Sequence, residues 1–216
     1  MDASAKHWQQ IHQSKYQDVS WWQSKESLWL DLIDDLHLAP QSQIIDVGAG
    51  ASLFVDGLIE RGYLNITILD VASAALLRTR QRLGIKGKNV IYEVCDVLDF
   101  QSEQALDLWH DRAVFHFLTS KSDQERYVNS VRRNLSDRGT AIIIAFSKDG
   151  PEECSGLPVE RHNAASLQEI FQDFFILEKT EQRFHLTPWN TKQAFTICVF
   201  KKRAVLIPIT AISSSL

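Results

Sequence analysis

The run from Ile44 to Ser52, IIDVGAGAS, constrains the fold of this chain more than any other stretch. Gln43 to Val47 (QIIDV) has the apolar texture of a buried strand, Gly48-Ala49-Gly50 makes a tight turn, and a helix pattern follows to about Arg61. Ser52 is placed to cap that helix. Glycines at a strand-to-helix turn let the backbone approach a ligand closely, and the helix N-terminus offers free N–H groups. Asn65 to Leu69 (NITIL) reads as a second strand closing on Asp70, twenty residues past Gly50. A carboxylate there can accept both hydroxyls of a ribose. A chain built this way belongs to the α/β class, with a nucleotide-type ligand expected at the first loop.

The rest of the chain keeps the alternation that a parallel sheet with crossover helices requires. Helices are expected at Ala3 to Gln13, Ser24 to Leu36, Ser73 to Leu83, Ser122 to Leu135 and Ala165 to Phe171. Further strands are expected at Asn89 to Val94, Leu106 to Trp109 and Thr140 to Phe146. Beyond Lys148 to His162, a long loop with two prolines, two runs look antiparallel: Phe174 to His185 and Gln193 to Lys201. A hairpin closing a parallel sheet is a specific topological feature. Residues 1–40 read as a helical cap, 41–202 as the main domain and 203–216 as a peripheral tail.

Three details favour S-adenosylmethionine over a nicotinamide as the ligand of that loop. A dinucleotide fingerprint needs glycine at position 53, where Leu53 stands, and that glycine serves packing beside a pyrophosphate. Asp46, just before the loop, is placed to meet a cofactor amino group directly or through water. Asp96 in VCDVLDF, with Val97 beside it, is placed to accept from an adenine amine. Singly, Asp46 and Asp96 also read as strand-end caps.

With IIDVGAGAS, ILDVAS, CDVLDF, the segment DLWHDRAVFHFL and the closing hairpin, the chain resembles the class I S-adenosylmethionine-dependent methyltransferases from about Trp21 to Lys201. It departs from their commonest loop in carrying Ala51 where a third glycine often stands. The resemblance implies a Rossmann-like, doubly wound, seven-stranded sheet of order 3-2-1-4-5-7-6 with strand seven antiparallel. It also implies a cofactor site drawn from Asp46, Gly48, Ala49, Gly50, Ser52, Asp70, Val71, Asp96, Val97 and His110. In many relatives an N-terminal segment folds over the cofactor, so Trp22 is expected against the sulfonium or adenine. Within the family, the chain looks most like small bacterial enzymes and the eukaryotic protein-lysine methyltransferases of elongation factor and citrate synthase. It departs from the latter in reading His110-Asp111-Arg112 at the fourth strand.

That stretch, from Leu108 to Leu118, should face the acceptor, because ligands of doubly wound sheets sit beyond the carboxyl ends of the strands. His116 is the candidate base, Asp111 its orienter or the holder of a substrate amine, and Arg112 either a substrate contact or a loop brace. His110 and His116 without a third ligand make a weak metal signal, and no metal is expected. Cys95, Cys154 and Cys198 show neither a disulfide framework nor a metal spacing, which fits a reducing compartment and makes the cytoplasm the default.

A net charge of −4 argues against a long phosphate footprint, so neither nucleic acid nor membrane is expected as a partner. No apolar run approaches membrane-spanning length. The expected activity is methyl transfer to a small-molecule or protein nucleophile, with protein lysine as the specific alternative. A nicotinamide-dependent oxidoreductase and a noncatalytic S-adenosylmethionine-binding subunit are the other readings. Nothing in the residues speaks to oligomeric state.

Overall fold

A computed structural model of the chain describes residues 3–14, 19–21 and 29–204. In chain order the elements are α1 (Ala3–Ser14), α2 (Asp31–Asp34), β1 (Gln43–Val47), α3 (Phe54–Glu60), β2 (Asn65–Asp70), α4 (Ser73–Leu83), β3 (Ile91–Val94) and β4 (Leu106–Arg112). They continue as α5 (Lys121–Asn134), β5 (Leu135–Phe146), β6 (Glu153–Cys154), β7 (Leu157–Pro158), α6 (Ala164–Phe171), β8 (Phe175–Leu186) and β9 (Lys192–Lys202). Seven strands form one sheet of order β3-β2-β1-β4-β5-β9-β8, and β6 and β7 form a separate two-stranded ribbon. Only β9 runs against the others, pairing antiparallel with both β5 and β8. Leaving the ribbon out of the numbering, this is the strand order expected from the sequence.

Strand alternation divides the core between the two faces of the sheet. Ile44, Ile68, Leu108 and Ile142 pack with Phe54 and Leu58 of α3 and Leu76 and Leu83 of α4. Ile45, Val47, Trp109 and Ile143 face the other way, onto Tyr127 and Val131 of α5 and Leu167 and Phe171 of α6. At about 25 cal/mol per Å² of apolar surface, each such side chain contributes on the order of 1.5–3 kcal/mol when fully buried.

Two boundaries differ from the sequence reading in ways that bear on the site. The fourth strand does not stop at Trp109 but runs to Arg112, because it is flanked by β1 and β5 and its backbone is paired on both sides. On the β5 side the register passes from Leu106↔Leu135 to Leu108↔Thr140, so Asp137-Arg138-Gly139 sits in a bulge within the strand. Of the helix expected over Ser24 to Leu36, residues 24–28 lie outside the described residues, and the remainder forms only the short α2. The tail is described only to Ala204. Among the described residues no helix is long and apolar enough to cross a membrane, and the three cysteines are free thiols.

Candidate active site

A cavity of about 380 Å³ lies where the carboxyl ends of β1, β2, β3 and β4 meet the N-terminal helix. Its wall includes Gly48, Ala49 and Gly50 after β1, Asp70 and Val71 at the end of β2, and Asp96 and Val97 after β3. Arg112, Ala113 and Val114 contribute from the end of β4, Asp123 and Arg126 from α5, and Cys154 from the ribbon. Trp8 and His12 of α1 close it, together with Trp21.

The glycine loop owes its shape to two demands. Gly48 and Gly50 have φ of 61° and 56°, in the left-handed region that L side chains avoid. A Cβ on Gly48 would also run into the side chain of Val114, and one on Gly50 would lie 3.3 Å from the His12 ring. The turn is then tied to β2: Ala49 N donates to Leu69 O at 3.0 Å, and Gly50 N donates to Asp70 Oδ2 at 2.9 Å. Behind it, the Thr79 hydroxyl donates to Gly50 O at 3.1 Å, and Arg82 donates to Ala51 O and Ser52 O at 2.9 and 2.7 Å. These loop amides are therefore committed to the fold. Ser52 Oγ accepts from Phe54 N at 3.0 Å in the turn before α3, whose N-cap is Leu53 and not the expected Ser52, and Ser52 lies outside the cavity wall.

Asp70 is the carboxylate on which the loop hangs, since its Oδ1 also accepts from Ala72 N at 2.8 Å. Burial pushes its pKa up to about 6, against the lowering effect of those backbone hydrogen bonds. An ionised carboxylate has about four lone-pair sites, so two amides leave capacity for ligand hydroxyls. Asp96 is partly open, with Oδ1 accepting from Leu98 N at 2.9 Å, and it faces the same cavity. The cradle thus fits an adenosine-type ligand: two committed acids on adjacent strand ends, and a turn in which Gly48 leaves no room for a Cβ.

Other expected residues lie beneath the cavity. Asp46 and His110 stand opposite each other on β1 and β4, on the same sheet face, with His110 Nδ1 2.6 Å from Asp46 Oδ1. The His110 ring stacks on Phe54 with centroids 3.9 Å apart. Neither residue reaches the cavity wall, because strand pairing turns both into the sheet face packed by α3. Asp46, expected to meet the cofactor amine directly or through water, is thus engaged by His110 behind the wall.

The three-residue extension of β4 beyond Trp109 explains the remaining differences. Alternation sends Asp111 to the α5 face and Arg112 to the opposite one. The Asp111 carboxylate accepts from Val114 N at 2.8 Å, Phe115 N at 3.1 Å and the Tyr127 hydroxyl. Burial still pushes its pKa up to about 7. It braces a turn in which Ala113 takes a φ of 77°, and that turn sets Val114 against Gly48. His116 is fully buried, stacks on Phe146 at 4.4 Å and accepts from Phe146 N through Nδ1 at 3.2 Å. Burial lowers its pKa to about 3, aided by His162 and Arg112. Asp111 and His116 are outside the cavity wall, so the expected base and orienter stand behind the site as packing and turn-forming residues.

Arg112 does reach the cavity. Its Nη2 donates to Trp21 O at 3.3 Å, while Nη1 is buried with no partner among the described residues. Trp22 lies outside the described residues; the aromatic cover seen is Trp8 and Trp21. Trp8 packs edge-on to Phe117 at 5.0 Å, and His12 lies 5.2 Å from Trp21. Sequence reasoning did not select Trp8, His12, Trp21, Asp123 or Arg126 for the site; Phe117 and Cys154 lie in stretches it expected beside the acceptor. The spacing of Trp8 and His12, four apart on one helix, was the available signal.

Comparison with known proteins follows the same outline. Residues 44–139 match a family model described as a methyltransferase domain. The EEF1A lysine methyltransferase 2 of Danio rerio is 29% identical over 116 residues, covering 50% of this chain and 50% of that protein. Nodulation protein S of Rhizobium tropici is 29% identical over 112 residues, covering 52% of this chain and 46% of that protein. The chain spans about half the length of the curated relatives it matches. Among solved structures, a SAM-dependent methyltransferase from Anabaena variabilis shares the fold with a TM-score of 0.73 at 16% identity, covering 94% of this chain and 96% of that one. The N-methyltransferase NodS from Bradyrhizobium japonicum, in complex with S-adenosyl-L-homocysteine, gives 0.66 at 14% identity, covering 91% and 98%.

Proposed function

We propose that this chain, which belongs to the class I S-adenosylmethionine-dependent methyltransferases, moves a methyl group from S-adenosylmethionine to a nucleophile on a small molecule or a protein. The observation that carries this reading is the convergence of Gly48, Gly50, Asp70 and Asp96 on one cavity at the carboxyl ends of β1 to β3. Asp70 would hold the ribose hydroxyls and Asp96 the adenine amine, with Val71 and Val97 flanking the base. When bound, S-adenosylmethionine supplies a methyl group already activated by its sulfonium charge.

The protein's own work is then mostly positioning. Aligning two reactants contributes up to about 7–11 kcal/mol, so a general base is required only where the nucleophile arrives protonated. Neither His116, buried with its pKa near 3, nor Asp111, committed to the β4 turn, is needed for that role. Residues 1–40 act as a cap whose helix α1 roofs the cavity through Trp8 and His12 and excludes water. Residues 41–202 carry the catalytic domain. Protein lysine is the second acceptor reading, supported by the stretch shared with the zebrafish lysine methyltransferase.

Calorimetric titration of the full chain with S-adenosylmethionine, S-adenosylhomocysteine, NADH and NADPH tests the reading. Binding of the first two at about micromolar Kd, with neither nicotinamide binding, is the expected result. Binding of a nicotinamide alone overturns it, and Asp96 then reverts to a strand-end cap. Tight binding of both sulfur ligands without turnover on any acceptor would favour a noncatalytic subunit.

A further inference from the structure

The acceptor end of the cavity has an unusual charge balance. Arg112 enters it from β4 with Nη1 buried and unpartnered among the described residues, and it forms no ion pair there. A guanidinium out of water is costly unless an anion or a full set of acceptors meets it. Among the described residues, its one close acceptor is the carbonyl of Trp21. Asp46, on the same sheet face, is hydrogen-bonded to His110, and its charge only partly offsets the desolvation that lowers the Arg112 pKa. Asp111, next in sequence, is turned to the opposite face and used by the β4 turn. The carboxylates that line the cavity, Asp70, Asp96 and Asp123, belong to β2, to the loop after β3 and to α5, and Asp123 pairs with Arg126 at 3.4 Å. Because β1 lies between β2 and β4, Asp70 is about 10 Å away across the sheet.

Apart from Asp46, the groups around Arg112 add no negative charge. Burial lowers the pKa of His12 to about 4, so its ring is neutral at neutral pH. The Cys154 thiol is held protonated by burial. Trp8, Trp21 and Phe117 supply flat apolar surface. A pocket for an ammonium would need a free carboxylate where this one has a free guanidinium. An arginine fork beside aromatic faces suits a carboxylate carried on an apolar body.

We propose that Arg112 anchors the methyl acceptor, and that the acceptor is a small-molecule carboxylate with an aromatic or apolar body. The proposal rests on the methyltransferase reading above and selects among its acceptors, against lysine. Arg112 acts as a binding and specificity group; the carboxylate it holds is the handle and need not be the atom methylated.

The test uses the full chain saturated with S-adenosylhomocysteine and reads tryptophan fluorescence, since Trp8 and Trp21 line the cavity. Benzoate, benzamide and benzylamine are titrated as anionic, neutral and cationic probes of one shape. Benzoate should bind saturably, at least about tenfold more tightly than benzamide, as expected of a charge-assisted fork, and benzylamine should not bind. Arg112→Gln should bring benzoate down to the benzamide level while S-adenosylhomocysteine affinity stays within about twofold, a difference small on the free-energy scale. Arg112→Lys, which keeps the charge, should retain part of the preference. No saturable benzoate binding, or benzylamine binding as well as benzoate, overturns the proposal. So does competition between benzoate and S-adenosylhomocysteine, which would assign Arg112 to the cofactor's own carboxylate. Failure of S-adenosylhomocysteine to bind the unaltered chain would instead defeat the methyltransferase reading.

Discussion

Replacing Asp70 with asparagine separates what the carboxylate does for the fold from what it does for a ligand. In the folded chain Asp70 accepts from Gly50 N and Ala72 N, and burial raises its pKa from 3.8 to about 6. A shift of about two units corresponds to roughly 3 kcal/mol, so ionised Asp70 opposes folding of the free protein by about that much. The folded pKa lies above the unfolded one. The free protein therefore loses this contribution as pH rises from about 4 to about 6, and nothing further from Asp70 above that. Ribose hydroxyls donate to the ionised form, so S-adenosylhomocysteine affinity should fall about tenfold per pH unit below 6 and level off above about 7. Each charge-assisted hydrogen bond contributes about 1.5–3 kcal/mol. Two of them lost in Asp70→Asn amount to about 3–6 kcal/mol, or roughly 10²- to 10⁴-fold in Kd. The asparagine keeps the volume and one acceptor oxygen but turns its NH2 toward one of the two backbone donors, so the variant should fold with a stability cost of about 1–3 kcal/mol. Calorimetric titration of both proteins from pH 5 to pH 8, a range of about three units around the shifted pKa, reads the effect. A pH-independent affinity in the unaltered chain, or an Asp70→Asn variant that binds as tightly, would refute the role given to Asp70.

Three further outcomes are expected. Gly48→Ala puts a methyl at φ 61° against Val114, costing about 1–2 kcal/mol for the backbone alone, and should lower Tm together with S-adenosylhomocysteine affinity; normal binding would show that the loop tolerates a side chain there. His116→Leu leaves Phe146 N without its acceptor and should cost about 1–3 kcal/mol in urea unfolding with cofactor affinity intact, whereas unchanged stability with abolished turnover would restore His116 as a base. Asp111→Ala strands Val114 N, Phe115 N and the Tyr127 hydroxyl and should cost about 3 kcal/mol or more. With its pKa raised to about 7, Asp111 also takes stability away as pH rises from about 4 to 7, and the variant should show a shallower slope over that window; a slope as steep as that of the unaltered chain would exclude Asp111 as its source.

The fold was legible because its signals are local. Apolar runs the length of a strand, the turn at Gly48 to Gly50 and the alternation with helical stripes sufficed for the elements and the α/β class, the family resemblance implied the strand order, and the closing hairpin marked β8 and β9. The same locality hid the ends of β4. His110-Asp111-Arg112 looks like loop chemistry, yet it continues a central strand because each polar group finds a partner or a cavity off the sheet: Asp46, Tyr127 and the site. Which face each residue takes follows from where the strand begins, and one apolar-to-polar transition in sequence does not report that. The seat of α1 was only half legible. Trp8 and Ile11, three apart, mark a face of the helix in the sequence, but the approach of His12 to Gly50 joins residues that no short-range pattern connects.

Helix α1 is fastened at both flanks. Arg78 donates to the His12 carbonyl at 2.9 Å and Gln9 accepts from Ala74 N at 3.2 Å, while His7 lies 3.0 Å from the Ser155 carbonyl on the ribbon. One bar therefore spans the glycine loop and the Arg112 end alike. If the proposed donor and acceptor both bind beneath it, each is expected to enter and leave only when the bar is released, the spent nucleoside included. Its residence time would then be set by how often the bar lifts, and accumulated product would throttle turnover through the same helix that keeps the reaction dry.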